Sequence, residues 1–143
     1  MQFAEIVGQR QLINSLIKTV EEGRVPHAQL FAGAEGNGTF ALVLAYSQFI
    51  SCQNKQFYNT DSENELRADS CGKCPSCLKY KRLAHPDLHF VFPNTTTKKV
   101  DKNNESALFM DLFREFVEEK QGYIDINSWL EYLKAENKQG EIN

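Results

Sequence analysis

The chain has 143 residues, 41% of them hydrophobic, so it is sized for one domain that can bury a core without cross-links. Sixteen basic and nineteen acidic side chains leave a net charge of −3, which excludes a general nucleic-acid coat protein. Charge is uneven, with eight basic and five acidic residues over 51–100 but five and ten over 101–143, so an acidic partner would meet the middle of the chain.

After Val7 and Gly8, apolar residues at Leu12, Ile13, Leu16, Ile17 and Val20 have helical spacing, and Gly23 and Pro26 predict its end. Ala28-Gln29-Leu30-Phe31-Ala32 reads as a buried strand. The Gly-rich turn Gly33 to Gly38 follows, then a second helix carrying Ala41, Leu42, Ala45 and Phe49. Strand, glycine turn and helix come in the order of a phosphate-binding loop. Residues 53–70 are polar and aperiodic and read as a loop or insertion, a composition compatible with disorder. A cysteine cluster at 71–77 leads into the basic helical stretch Leu78–Leu83, which His85-Pro86-Asp87 breaks. Leu88–Phe92 looks like a second strand, and 94–104 like an exposed loop. Leu108, Phe109, Leu112, Phe113, Phe116 and Val117 form an amphipathic helical pattern, whose phenylalanine stripe reads as a core face. Asn127 is placed to cap a last helix with Trp129, Leu130 and Leu133.

No stretch of roughly 18 apolar residues offers a membrane span. The opening Met1–Arg10 lacks the basic flank and apolar run of a secretory leader. The expectation is a soluble, cytoplasmic protein with no membrane partner, and a reducing compartment disfavours disulfides. Cys71, Cys74 and Cys77, spaced by two residues, bring three thiols within reach of one ion, and Cys52 supplies a fourth. Four thiolates close a tetrahedral zinc site with no position for water, so the Zn2+ would be structural. Redox-active thiols, a disulfide pair and an iron–sulfur cluster are the competing readings, and His85 or His89 could replace Cys52. His27 has no nucleophile to serve and reads as a structural histidine.

The glycine turn is set against the pattern G-x-x-x-x-G-K-[ST]: Gly33 and Gly38 take the glycine positions, with Gly36 between them. Thr39 stands where lysine should be and Phe40 where the magnesium-binding hydroxyl should be. Backbone N–H groups could still attract an anion weakly, but the loop reads as catalytically dead. Lys73, Lys79, Lys81 and Arg82 are favoured as a solvated helix face over a DNA or acidic-partner contact, because no aromatics interleave them.

Phe3-x2-Ile6-Val7-Gly8-Gln9, Gly23-Arg24-x2-His27-Ala28-Gln29-Leu30-Phe31, the Gly33/Gly36/Gly38 turn, the four cysteines and His85-Pro86-Asp87 occur in one order. This order resembles the delta-prime and gamma/tau clamp-loader subunits of bacterial DNA polymerase III, in the AAA+ superfamily, from Phe3 to about Pro93. The resemblance implies an α/β, P-loop NTPase fold of three-layer α/β/α type with an incomplete parallel sheet. Residues 1–143 would be the N-terminal part of an AAA+ domain, with 52–84 an inserted zinc module. It implies zinc on Cys52, Cys71, Cys74 and Cys77, and a degenerate nucleotide site at Val7, Gly8, Gln9, Gly33, Gly36, Gly38 and Thr39. Thr39 and Phe40 point toward the delta-prime type, a non-catalytic stator, and away from ATP-hydrolysing gamma/tau. A Walker B strand, a sensor and a Ser-Arg-Cys finger do not occur before Asn143, so the chain is expected to be an N-terminal fragment. Implied partners are the gamma/tau and delta subunits, with the sliding clamp and primer-template DNA reached through the complex. A self-standing zinc-dependent interaction module is the remaining alternative.

Overall fold

The computed structural model describes residues 1–95, 105–135 and 140–142. The chain divides into two compact units, Met1–His85 and Pro86–Asn143, each with its own core.

In the first unit, a 3-10 turn at Phe3–Glu5 precedes α1 (Arg10–Glu21). The expected helical period holds: Ile13, Leu16 and Ile17 are buried, while Leu12 stays exposed. Gly23, at φ +63°, ends the helix as predicted. Its N–H reaches Val20 O and Arg24 N–H reaches Thr19 O, the paired closing bonds of a Schellman turn. α2 (Thr39–Ser51) is apolar almost all round, as a helix inside a core must be. Phe3, Ile6, Ile17, Leu42 and Phe49 are the heart of this unit.

Residues 53–70 hold a short strand pair that their composition did not signal. β1 (Gln56–Phe57) and β2 (Ala68–Asp69) pair antiparallel, Gln56 opposite Asp69. Asn14 on α1 pins the connecting loop, donating through Nδ2 to Glu63 O and Glu65 O and accepting from Arg67 N–H. α3 (Pro75–Lys81) starts on a proline, whose missing N–H costs nothing at a helix start.

Neither expected strand forms. Residues 28–32 carry no ladder, and Leu30 is 92% exposed. Residues 88–92 likewise form no strand, with Val91 exposed and only Phe92 buried. A short apolar run becomes a buried strand only when neighbouring strands satisfy its N–H and C=O groups, and no described segment pairs with these two. The sheet present is the two-stranded β1–β2 pair, so the described residues make a mixed helix-and-sheet chain without a parallel sheet.

In the second unit, a 3-10 turn at Ser106–Phe109 runs into α4 (Met110–Glu119), and α5 (Ile126–Tyr132) follows. Phe109, Phe113, Phe116 and Val117 are buried as the stripe predicts, but Leu108 and Leu112 are exposed. Trp129 packs edge-on to Phe92 and Phe113, at 5.4 and 5.3 Å, and its indole N–H donates to Pro93 O at 2.8 Å. The cap of α5 is Asp125, not Asn127, which lies inside the helix; Asp125 accepts from Ser128 N–H at 2.9 Å. Asn94 and Thr95 are buried, unlike the exposed loop expected there, because Asn94 exchanges two backbone hydrogen bonds with Glu141. The rest of that expected loop, 96–104, lies outside the described residues. No helix among the described residues is long and apolar enough to cross a membrane.

Candidate metal centre and glycine loop

The four cysteines reach their centre from three kinds of backbone. Cys52 is the C-cap of α2, Cys71 follows β2, Cys74 is the N-cap of α3 and Cys77 lies in its first turn. The N-cap geometry follows from sequence: Pro75 opens the helix, and Cys74 Sγ accepts the Cys77 N–H at 3.5 Å. Cys74 N–H points at Cys71 Sγ (3.3 Å), and Cys71 N–H at Cys52 Sγ (3.2 Å). All four sulfurs lie within 4.8 Å of one another, with Cys71 and Cys77 at 4.0 Å. A tetrahedron with metal–sulfur bonds of about 2.3 Å has sulfur–sulfur edges of about 3.8 Å, so the donor set fits one four-coordinate ion. Disulfide bonding needs about 2.05 Å, and all four cysteines are free.

The thiols do not share one environment. Burial pushes the Cys77 thiol up to about 12, reinforced by the neighbouring Cys74 and Cys52 sulfurs. Burial also raises Cys52. The Lys73 N–H holds Cys71 below the usual thiol range. Burial works against ionisation of Cys74 too, but the N–H groups of Cys77 and Gln53 and the adjoining thiols outweigh it and bring it to about 6. A cation at the centre would take the place of the protons shared among them, and donors aimed at sulfur hold each ligand's orientation. The histidines are not needed: His85 packs against Tyr80 at 4.6 Å, and the sulfur cluster is complete without it or His89.

The glycine turn leads into α2 as expected, although the strand expected before it does not form. Gly36 and Gly38 sit at φ +77° and +80°, which only glycine adopts freely, and Gly38 caps α2. Gln9 Nε2 donates to Asn37 O at 2.8 Å, which brings the Val7-Gly8-Gln9 segment to the loop. Sequence reasoning missed Asn37. Its Oδ1 accepts from Thr39 N–H at 3.1 Å and from the Thr39 hydroxyl at 2.5 Å. Its carboxamide also closes on Gly33, where an added Cβ would stand 2.0 Å from Asn37 Nδ2. The first amide of α2, a group an anion would need, thus already has an acceptor. A short polar residue between two glycines was the available signal.

A polar hollow of about 540 Å³ lies elsewhere, between α1 and the loop ahead of β2, lined by Gln11, Asn14, Lys18, Asp61, Glu63 and Arg67 among others. It shares no lining residue with the glycine loop or the cysteine centre.

The family model described as "DNA polymerase III, delta subunit" matches residues 8–128, which includes the glycine loop and all four cysteines. Escherichia coli DNA polymerase III subunit delta′ is 28% identical over 103 residues, 72% of this chain and 25% of that protein. Bacillus subtilis subunit delta′ is 29% identical over 86 residues, 60% of this chain and 23% of that protein. Escherichia coli subunit tau is 27% identical over 99 residues, 69% of this chain and 14% of that protein. The chain therefore spans a quarter or less of the length of these relatives. No solved structure matches it. With a family match across most of its length, the chain belongs to the DNA polymerase III delta subunit family, the clamp-loader-related group to which its motif order pointed.

Proposed function

We propose that this chain is a non-catalytic, stator-like part of a DNA polymerase III clamp loader, helping other subunits load the sliding clamp during replication. The observation that carries the reading is the glycine loop. Thr39 and Phe40 replace the lysine and hydroxyl that handle nucleotide phosphates and magnesium, and Asn37 holds the loop's leading amide. With no cation for the β- and γ-phosphates, the chain binds ATP weakly at most and does not hydrolyse it. Its role is architectural: it holds a position in the assembly and presents surfaces to gamma/tau and delta subunits in the cytoplasm. Clamp and primer-template DNA are reached through that complex.

In the same reading, residues 1–143 are the N-terminal part of an AAA+ domain of three-layer α/β/α type. Residues 52–84 are its zinc-binding insertion, with a structural Zn2+ on Cys52, Cys71, Cys74 and Cys77. The all-thiolate donor set supports zinc over harder cations and leaves no open position for catalysis.

The test mixes the purified chain with gamma/tau and delta subunits and records native mass spectra and ATP turnover. Co-assembly with one zinc and no turnover by the chain alone is the expected result. Magnesium-dependent hydrolysis by the chain itself would replace this reading with the gamma/tau-like one. Failure to assemble, with retained zinc, would favour a separate zinc-dependent interaction module.

A further inference from the structure

The residues just before Cys71 do something that zinc binding alone does not require. Asp69, on β2, is almost completely buried, yet among the described residues no ion pair involves it. Its carboxylate faces the start of the chain: Oδ1 accepts from Phe3 N–H at 3.0 Å, and Oδ2 from Ala4 N–H at 2.9 Å. These are the first two amides of the Phe3–Glu5 turn, which have no partner within the turn itself. Asp69 Oδ1 also accepts from Ser70 N–H at 2.7 Å, so one carboxylate orients three amides.

The contact continues toward the cysteines. Gln2 Nε2 donates to Ser70 O at 2.5 Å, and the Ser70 hydroxyl accepts from buried Gln48 on α2 at 2.8 Å. A Cβ on Gly72, which follows Cys71, would stand 2.7 Å from Gln2 Oε1, so the Gln2 side chain lies directly on the Cys71–Gly72 backbone. Phe3 fills the space beneath, fully buried against Phe49 at 5.3 Å, and Phe49 O receives the N–H of Cys52. Residues 69–72 therefore form a shelf with one end at a cysteine ligand, and Gln2 to Ala4 lie on it.

We infer that the cysteine centre is the lock of the N-terminal segment: a metal ion on the four sulfurs fixes the 69–72 shelf, and the shelf orders residues 2–5. Without the ion, Cys71 is tied to the centre only by weak N–H···S contacts, and the cysteine end of the shelf loosens. This inference rests on the metal reading proposed above and adds a role for Asp69 and Gln2 that metal ligation does not assign.

The test is amide hydrogen exchange by NMR on the whole chain, zinc-loaded and after chelation, with native mass spectra reporting zinc. On chelation, the Phe3 and Ala4 amides should exchange roughly tenfold faster or more, while Ile17 in α1 and Val117 in α4 stay protected. Asp69→Asn should keep its zinc, show the faster exchange already when loaded, and respond little further to chelator. Gln2→Ala, a milder change outside the core, should give the same pattern at smaller amplitude if Asp69→Asn does not fold. Zinc bound with Phe3 and Ala4 indifferent to chelation would overturn the lock and leave the metal reading intact. Loss of protection throughout α1 as well would overturn it too, because the metal would then be a general staple. A chain that takes up no zinc would remove the metal reading itself and the lock with it.

Discussion

The occupied glycine loop makes a quantitative prediction for nucleotide binding. A phosphate reaching the start of α2 must displace the Asn37 carboxamide from Thr39 N–H and the Thr39 hydroxyl. The loop is exposed, so each bond is near the low end of the usual range, and the pair costs about 1–2 kcal/mol, or roughly 5–30-fold in affinity. Lacking a lysine forfeits a charge-assisted contact of about 1.5–3 kcal/mol. Together these make the loop about two to four orders of magnitude weaker than a loop carrying the lysine and no competing side chain. Calorimetric titration with magnesium-ATP should therefore detect little binding to the unaltered chain. Asn37→Ala should bind roughly 5–30-fold better, without hydrolysis. Adding Thr39→Lys and Phe40→Thr to that variant should give a further gain. Micromolar binding by the unaltered chain, unchanged in Asn37→Ala, would refute the argument that Asn37 competes with phosphate.

Two further outcomes test the second unit. Phe113 lies face to face with Phe92 at 3.8 Å and edge-on to Trp129, so Phe113→Ala should destabilise by about 3–5 kcal/mol, against less than about 0.5 for exposed Leu112→Ala. Trp129 is the chain's single tryptophan, so its emission during urea unfolding reads this directly, and equal shifts for both variants would contradict the packing described. Asp125→Ala should cost about 1 kcal/mol at neutral pH through loss of the α5 cap. Hydrogen bonding from Ser128 lowers the Asp125 carboxyl in the folded state, so its contribution is present above the unfolded value of about 3.9 and fades as pH falls through the lower folded one. A difference between the two proteins that persisted undiminished in strong acid would show that the charge is not the source.

What could be read in the sequence follows from the range of the forces involved. α1 and α4 were legible because a 3.6-residue apolar period and a glycine stop act within a few turns, and α2 because a long apolar run follows a glycine turn. The α5 cap was misplaced by two residues because Asp125 and Asn127 have the same capping chemistry, and only backbone geometry separates them. The hairpin at 56–69 gave no periodic signal, since two residues per strand are too few to show one.

Sequence by itself determined the cysteine set, the glycine loop and its missing lysine, because those depend on residue type and spacing along the chain. Tertiary structure alone decided that 28–32 and 88–92 form no strand, since a strand exists only with a neighbouring strand. It also placed Asp69 beneath Phe3 and Ala4, 66 and 65 residues away along the chain, and turned the Asn37 side chain into the loop. Both groups are ordinary polar residues in sequence, and both acquire a role only when folding brings particular amides within their reach.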